Sequence, residues 1–425
     1  MHRPILVFAD WQELGQPRRL GTLHARAGSG REVFEFEFAP SALADRGVTG
    51  VRLDPRLAAF QGPQHAARGA PNFGLFADAS PDRWGRLLMR RRLERLQRTG
   101  AVDARYRLRE SDYLLGVHDL FRAGGLRFKL EEQGPFLDNQ HDVAAPPFVR
   151  LRELEQASQA LEDETLAADA PGIDAWLRML IAPGGSLGGA RPKASVADEA
   201  GHLWIAKFPS IKDTHDVGAW ELLVHSLAVA CGLSVPPARA QKFGTDRHTF
   251  MVKRFDRTPG GGRLHFASAM TLTDRQDGDD AASGASYLEL ARVLIDHGAQ
   301  PAADLKELWT RIVFNMLVSN TDDHLRNHGF ILVPGKGWRL SQAYDMNPVP
   351  DAGGLCLNVS ETDNARDLEL ARSVAGYFRV KKAVADEVIG RSRAVVSQWP
   401  VLAGRLGIPA REQEQMAGAF ALGQA

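Results

Sequence analysis

The chain has 425 residues, 44% hydrophobic and 24% charged, a composition that matches folded globular proteins and a length that suits two domains or one with a large extension. Lys plus Arg and Asp plus Glu number 52 each, so net charge predicts affinity for neither nucleic acid nor a membrane. Two distant cysteines outside any CxxC pattern argue against a disulfide framework or zinc site and for a reducing cytoplasm; no apolar run nears the roughly 18 residues of a membrane span, and Asp10 comes too early for a signal peptide.

In chain order, residues 5–8 and 33–38 read as strands, the second alternating Phe34, Phe36 and Phe38 with Glu35 and Glu37. Ser80-Pro81 reads as the cap and first position of a helix whose apolar stripe holds Trp84, Leu87, Leu88 and Leu96. Its other face carries Arg83, Arg86, Arg90, Arg91, Arg92, Arg95 and Arg98, which suits either a partner or nucleic-acid surface or the solvated side of an amphipathic helix. Residues 131–149, with Gly134-Pro135 and Pro146-Pro147, read as a linker or long loop before a helix at 150–167. A helix at 173–181 leads to a glycine-rich loop, then to a hairpin turning at 198–201 with its second strand at 203–208. A helix at 216–230 ends before Gly232, a hairpin spans 238–255 around Gly244-Thr245-Asp246, and a core-packed helix covers 304–319. The acidic stretch 273–286 lacks calcium-loop spacing and reads as a solvated loop. The reading is an α+β fold in four parts: a β-rich module with a basic helix (1–130), linker and helix (131–175), a β-rich lobe with the glycine-rich loop (176–258) and a helical lobe (259–425).

Phosphoryl transfer asks a protein to cradle phosphates, hold magnesium and orient a nucleophile. Gly184-Gly185-Ser186-Leu187-Gly188-Gly189-Ala190-Arg191-Pro192-Lys193 could bring backbone N–H groups to phosphate oxygens, or could be a surface turn. Lys207 lies in the apolar strand Trp204-Ile205-Ala206-Lys207-Phe208, where a lysine must be buried or aimed at an anion. Glu221, fourteen residues on, takes the place of the helix glutamate that anchors a kinase strand lysine. Lys253-Arg254-Phe255-Asp256-Arg257 stands where a kinase hinge would meet adenine, with Asp256 toward the ribose; surface ion pairs at a strand end are the alternative.

Asn320-Thr321-Asp322-Asp323-His324-Leu325-Arg326-Asn327 places an Asp and an Asn five apart after the core helix, the spacing of a kinase catalytic loop. Asp322 is then the base and Asn327 a magnesium ligand; His324 is a hydrogen-bonding residue of the loop. A short hairpin follows, then Asp345, where a kinase carries its second magnesium-binding carboxylate. His324 and His328 are four apart, but the segment lacks the glutamate of a metalloprotease motif.

Together, the glycine-rich loop, Lys207, Arg254-Phe255-Asp256-Arg257, the 320–327 motif and Tyr344-Asp345 resemble the HipA family of serine/threonine kinases, toxins of bacterial toxin–antitoxin modules, and Pro81-Asp82-Arg83-Trp84-Gly85-Arg86 resembles its N-terminal region. The resemblance implies a bilobal protein-kinase-like core that binds ATP and Mg2+. It makes Ser186 the autophosphorylated residue, and Leu187, Gly188, Gly189, Ala190, Lys193, Lys207, Lys253, Arg254, Phe255, Asp256 and His324 part of the ATP site. It further implies a helix-turn-helix antitoxin as partner, DNA reached through that antitoxin, and an aminoacyl-tRNA synthetase as substrate. Arg263-Leu264-His265-Phe266-Ala267-Ser268 departs from the family by lacking a Glu-Asp pair, which bears on substrate or subfamily. The competing functions are a nucleotide-binding interaction protein without catalysis, and a metal-dependent hydrolase built on Asp322, Asp323, His324 and His328.

Overall fold

A computed structural model describes residues 2–28, 31–66, 69–139, 146–163, 165, 172–181, 189, 191–350 and 353–424. The chain divides into two compact units, one of residues 1–212 and 242–267, the other of 213–241 and 268–425.

The first unit opens with β1 (His2–Ala9), β2 (Arg18–Ala27), β3 (Glu32–Phe38) and β4 (Gln64–His65), joined later by β5 (Leu126–Lys129) in an antiparallel sheet of order β4-β3-β2-β1-β5. As the alternation predicts, Phe34, Phe36 and Phe38 are buried while Glu35 and Glu37 are not. β2 escaped the sequence reading because Arg18, Arg19, His24 and Arg26 mask its inward Leu20, Leu23 and Ala25, although it lies between β1 and β3.

Helix α1 (Arg83–Arg98) starts at Asp82 rather than at Ser80-Pro81. The Ser80 hydroxyl is turned back to donate to Phe76 O at 2.8 Å, whereas the Asp82 carboxylate accepts from Gly85 N at 2.7 Å, the bond an N-cap needs. The arginine face of α1 is neither wholly solvated nor wholly presented. Arg86 grips Glu110 with two bonds, Arg95 grips Asp174 with two, and buried Arg91 donates to Asp163 O, while Arg83, Arg90 and Arg98 are exposed.

Helices α2 (Leu151–Glu162) and α3 (Ile173–Leu180) pack on a four-stranded sheet that includes the antiparallel strands β6 (Lys193–Ala197), β7 (Leu203–Lys207) and β8 (His248–Lys253). Trp84 and Leu88 of α1 complete that core with Leu154, Leu161, Val196, Phe208 and Met251. α2 is shorter than the expected 150–167, because the chain turns extended at Asp163.

The second unit holds α4 (Val217–Ala230), α5 (Tyr287–His297), α6 (Pro301–Leu317) and α7 (Lys382–Val396), with the hairpin β9 (Gly329–Val333) and β10 (Gly337–Leu340). Asp216 caps α4, and Gly232 follows it with φ +81°, the left-handed turn expected there. From Leu308 to Leu317 every residue of α6 is buried, Trp309 donating to Ala371 O at 2.8 Å. Trp399 stacks on Phe420 at 4.7 Å between ring centres, beside Trp220. The acidic stretch is more ordered than its composition predicts: Asp280 caps the turn Ala281–Ser283, and Arg275 pairs with Glu289 at 3.0 Å. Both cysteines are free thiols, and no helix among the described residues is long and apolar enough to cross a membrane.

Candidate active site

The loop after α6 is a tight turn. His324 N–H donates to Asp322 O and Asn327 N–H to His324 O, both at 2.8 Å, ending in the single turn Leu325–Asn327. This geometry splits two adjacent carboxylates. Asp322 faces solvent. Asp323 is buried, and its Oδ2 accepts from Tyr287 Oη at 2.6 Å, Asn315 Nδ2 at 2.7 Å and His328 Nε2 at 2.7 Å. Burial first, then the Asp323 charge, pushes the Tyr287 phenol well above its ordinary range, so it stays a donor. Asp323 thus ties the loop to α5 and α6, while Asp322 is exposed.

Asn327 is buried, and its Nδ2 donates to Asp322 O at 3.0 Å. Its Oδ1 takes no hydrogen bond from the described residues, so the amide is held with its oxygen available. The Asp345 loop is held against the same turn: Tyr344 Oη donates to Arg326 O at 2.8 Å, and Asn347 N–H donates to Asn320 Oδ1 at 3.2 Å. Ser319 (φ 51°) and Asp345 (φ 59°) both sit in the left-handed region, which costs a non-glycine residue roughly 1–2 kcal/mol and often marks functional loops. An amide oxygen and a carboxylate are hard donors, the kind that suit Mg2+, which takes few protein ligands and keeps several waters. Asn327 and Asp345 therefore fit that ion.

His328 is committed to Asp323, and among the described residues no group of three His, Cys, Asp or Glu side chains is placed to hold a metal ion. His324 takes part in the loop through its backbone, donating to Asp322 O and accepting from Asn327 N–H, while its buried ring Nδ1 meets no partner among the described residues. Cys356, half-buried, has its thiol raised to about 11 by burial and by the Asp322, Asp323 and Asp280 carboxylates, so it stays protonated.

In the first unit the expected site residues fare differently. Ser186, Leu187, Gly188 and Ala190 lie outside the described residues. Gly189 accepts from Lys193 Nζ at 3.2 Å through its carbonyl. Lys193, expected at the nucleotide, is buried, and its ammonium pairs with equally buried Asp82 at 2.9 Å. That pairing corrects the assignment, since the charge is already neutralised inside the protein. Asp82 thus joins α1 to β6, reinforced by Trp84 Nε1 donating to Lys193 O at 3.0 Å. Lys207 ends β7 and is buried, as its apolar strand predicted, with Nζ 5.9 Å from the centre of the Phe250 ring. Glu221 is buried within α4 of the second unit. Lys253, half-buried, pairs across the sheet with Trp204, and Phe255 packs against Phe266.

Arg254 and Asp256 need a second correction. Asp256 is buried, and Arg254 (2.9 and 2.7 Å), Arg257 (2.8 Å) and the N–H of Gly124 (2.9 Å) occupy its two oxygens, leaving it no reach to a ribose. Nor are these surface pairs. Arg254 donates on to Phe121 O and Arg122 O, and Arg257 to Leu120 O and Arg122 O, binding the 119–124 turn to the end of β8. Gly124 has φ +70°, and a Cβ there would lie 2.9 Å from Phe266 N, so glycine is required where its N–H meets Asp256. Burial opposes ionisation of Asp256, but the two guanidinium groups hold its carboxyl well below the usual range. The residues that sequence reasoning missed are the buried asparagines Asn315 and Asn320, with Asn347 nearby. Asn347 could have been noticed two positions after Asp345.

A profile of the HipA-like C-terminal domain matches residues 185–399, half of the chain. A Haemophilus influenzae protein named "Putative kinase" is 30% identical over 132 residues, covering 28% of this chain and 38% of that one. "Putative kinase Y4dM" of Sinorhizobium fredii is 30% identical over 224 residues, covering 47% and 53%. The matches thus span about a third to a half of those relatives' lengths. Among solved structures, HipA of the Shewanella oneidensis MR-1 toxin–antitoxin system, in complex with HipB and its operator DNA, superposes with TM-score 0.63 at 16% identity, over 96% of this chain and 95% of that one. At that identity the likeness establishes the fold.

Proposed function

Because the chain belongs to the HipA-like family, we propose that it is an ATP-dependent protein serine/threonine kinase, the toxin of a HipA/HipB-like pair. The observation that carries this reading is the split at 322–327: one exposed carboxylate on a loop whose neighbouring carboxylate is buried and takes three hydrogen bonds on Oδ2, beside an amide with its oxygen open. Asp322 orients the attacking serine or threonine hydroxyl and accepts its proton. Asn327 and Asp345 hold magnesium, which when bound neutralises charge on the ATP phosphates. Lys207 serves as the phosphate-binding cation of the first unit.

The finer assignments extend the same reading. The substrate is a translation protein, an aminoacyl-tRNA synthetase, phosphorylated in the cytoplasm. The partner is a helix-turn-helix antitoxin, through which the kinase reaches DNA. Autophosphorylation falls on Ser186, where a charge of about −2 would oppose ATP binding. Purified protein incubated with magnesium and ATP should gain one phosphate, mapped by mass spectrometry to Ser186 and absent from Asp322→Asn. Phosphate-free protein that also transfers none to an added synthetase would refute the kinase reading.

A further inference from the structure

A continuous polar chain runs behind the two candidate loops of the second unit. Asn347 Nδ2 donates to Asp345 Oδ1 at 3.3 Å, and Asn347 N–H donates to Asn320 Oδ1 at 3.2 Å. Asn320 Nδ2 donates to Asn315 Oδ1 at 3.1 Å, and Asn315 Nδ2 donates to Asp323 Oδ2 at 2.7 Å. Asn320 N–H also donates to Asn315 O at 2.9 Å, clamping that asparagine at the end of α6. Each amide orientation is fixed by its neighbour: a flip of Asn315 or Asn347 would set its oxygen against a carboxylate, and a flip of Asn320 would set its NH2 against the N–H of Asn347. Asn315 and Asn320 are buried, where a missing partner costs more than a made bond gains.

From this chain of bonds we propose that Asn347, with Asn320 behind it, is a positioning residue for the magnesium site, setting the Asp345 carboxylate relative to the Asp322–Asn327 turn. The proposal rests on the kinase reading, since it gives Asp345 its metal. Asp345 is in a left-handed conformation, and Asn347 bonds both its carboxylate and Asn320 of the catalytic turn. Asn347 Oδ1 is buried and takes no hydrogen bond from the described residues, an acceptor left open beside the carboxylate. Groups that orient a metal ligand typically matter by about 10- to 100-fold in metal affinity.

Asn347→Ala tests this with Mn2+ as a spectroscopic stand-in for Mg2+. Mn2+ affinity in the presence of ATP, read by electron paramagnetic resonance, should fall about 10-fold or more, while ATP affinity without metal and the melting temperature stay within error. Asn320→Ser, which keeps a hydroxyl to bond Asn347 N–H, should lose less than Asn347→Ala. Asp345→Ala separates the two readings. If it abolishes Mn2+ binding while Asn347→Ala does not alter it, the positioning role is wrong and the kinase site stands. If Asp345→Ala leaves Mn2+ affinity unchanged, the metal assignment falls and this inference with it. If Asn347→Ala lowers stability as much as it lowers Mn2+ affinity, its role is structural and the proposal is overturned.

Discussion

Two sequence motifs that look alike as candidate sites end up as opposite kinds of structure. In the first unit, Arg254-Phe255-Asp256-Arg257 is used up: each charged group is buried against another or against backbone carbonyls. In the second, the 320–327 turn sends the Asp323 carboxylate inward onto a tyrosine hydroxyl, a histidine ring and an asparagine amide and leaves Asp322 outward, with further amides behind them. A buried ion pair is held by its own charge and is costly to break. A site that must receive a charged ligand is better framed by neutral amides, which orient it without competing for its charge. Charged residues clustered in a motif therefore do not by themselves mark chemistry; what each carboxylate faces has to be read from the structure.

The sharpest way to break this contrast is to remove one carboxylate from each cluster. Asp322→Asn should lower phosphotransfer by about 10^2- to 10^4-fold with no change in melting temperature, because its side chain faces solvent. Activity within a few-fold of the parent would mean that the exposed carboxylate is not the base. Asp256→Ala should do the reverse, destabilising the first unit by about 3–5 kcal/mol, since it strands Arg254 and Arg257 without their counter-charge. Urea unfolding that shows under ~1 kcal/mol of loss would reduce that cluster to an ordinary surface pair.

Acid should sharpen the comparison further. His265 packs on Trp11 with ring centres 5.3 Å apart, and burial pushes its imidazole down to about 3. A histidine whose folded pKa is depressed binds its proton more readily when unfolded. Stability is therefore intact above the unfolded value of ~6.5 and falls by up to about 1.4 kcal/mol per pH unit below it, toward pH 3. Asp256, depressed like other paired carboxylates, adds to the loss only below its unfolded value near 4. His265→Phe keeps a ring on Trp11 and cannot take the proton, so urea midpoints between pH 6.5 and 4.5 should show a flatter slope; an unchanged slope assigns the acid sensitivity elsewhere. The smallest effect belongs to the basic helix. Arg86→Ala should cost about 1 kcal/mol or less, since its pair with Glu110 is partly exposed. A larger loss in thermal melts would make the arginine face a structural seam.

Much of this was legible in the chain. Helical periodicity located α6, alternating phenylalanines located β3, and the Asp322–Asn327 spacing with Asp345 singled out the two loops that hydrogen bonds link. Strand order and partners were not legible, because they depend on distant residues. Nothing in the sequence near Lys193 announces Asp82, more than a hundred positions earlier, as its counter-ion. Likewise, the pattern that suggested a nucleotide-facing Asp256 could not show that Gly124 and two arginines already fill its oxygens. The asparagine chain was invisible for a different reason: amides carry no charge pattern or periodicity, and only their geometry gives them a role.

The interruption of the first unit at Lys212 bears on how a ribosome must deliver it. Strand β8 and the arginines that hold the 119–124 turn are synthesised only after residues 213–241, which belong to the other unit. A nascent chain that ends at Lys212 has β7 with an unpaired edge where β8 would sit, an invitation to pair with another chain. The domain boundary that a truncation would naturally choose is thus a poor place to cut. A fragment carried through Ala267 should be the shortest that leaves a chaperone unaided, as pulse proteolysis of stalled chains can measure.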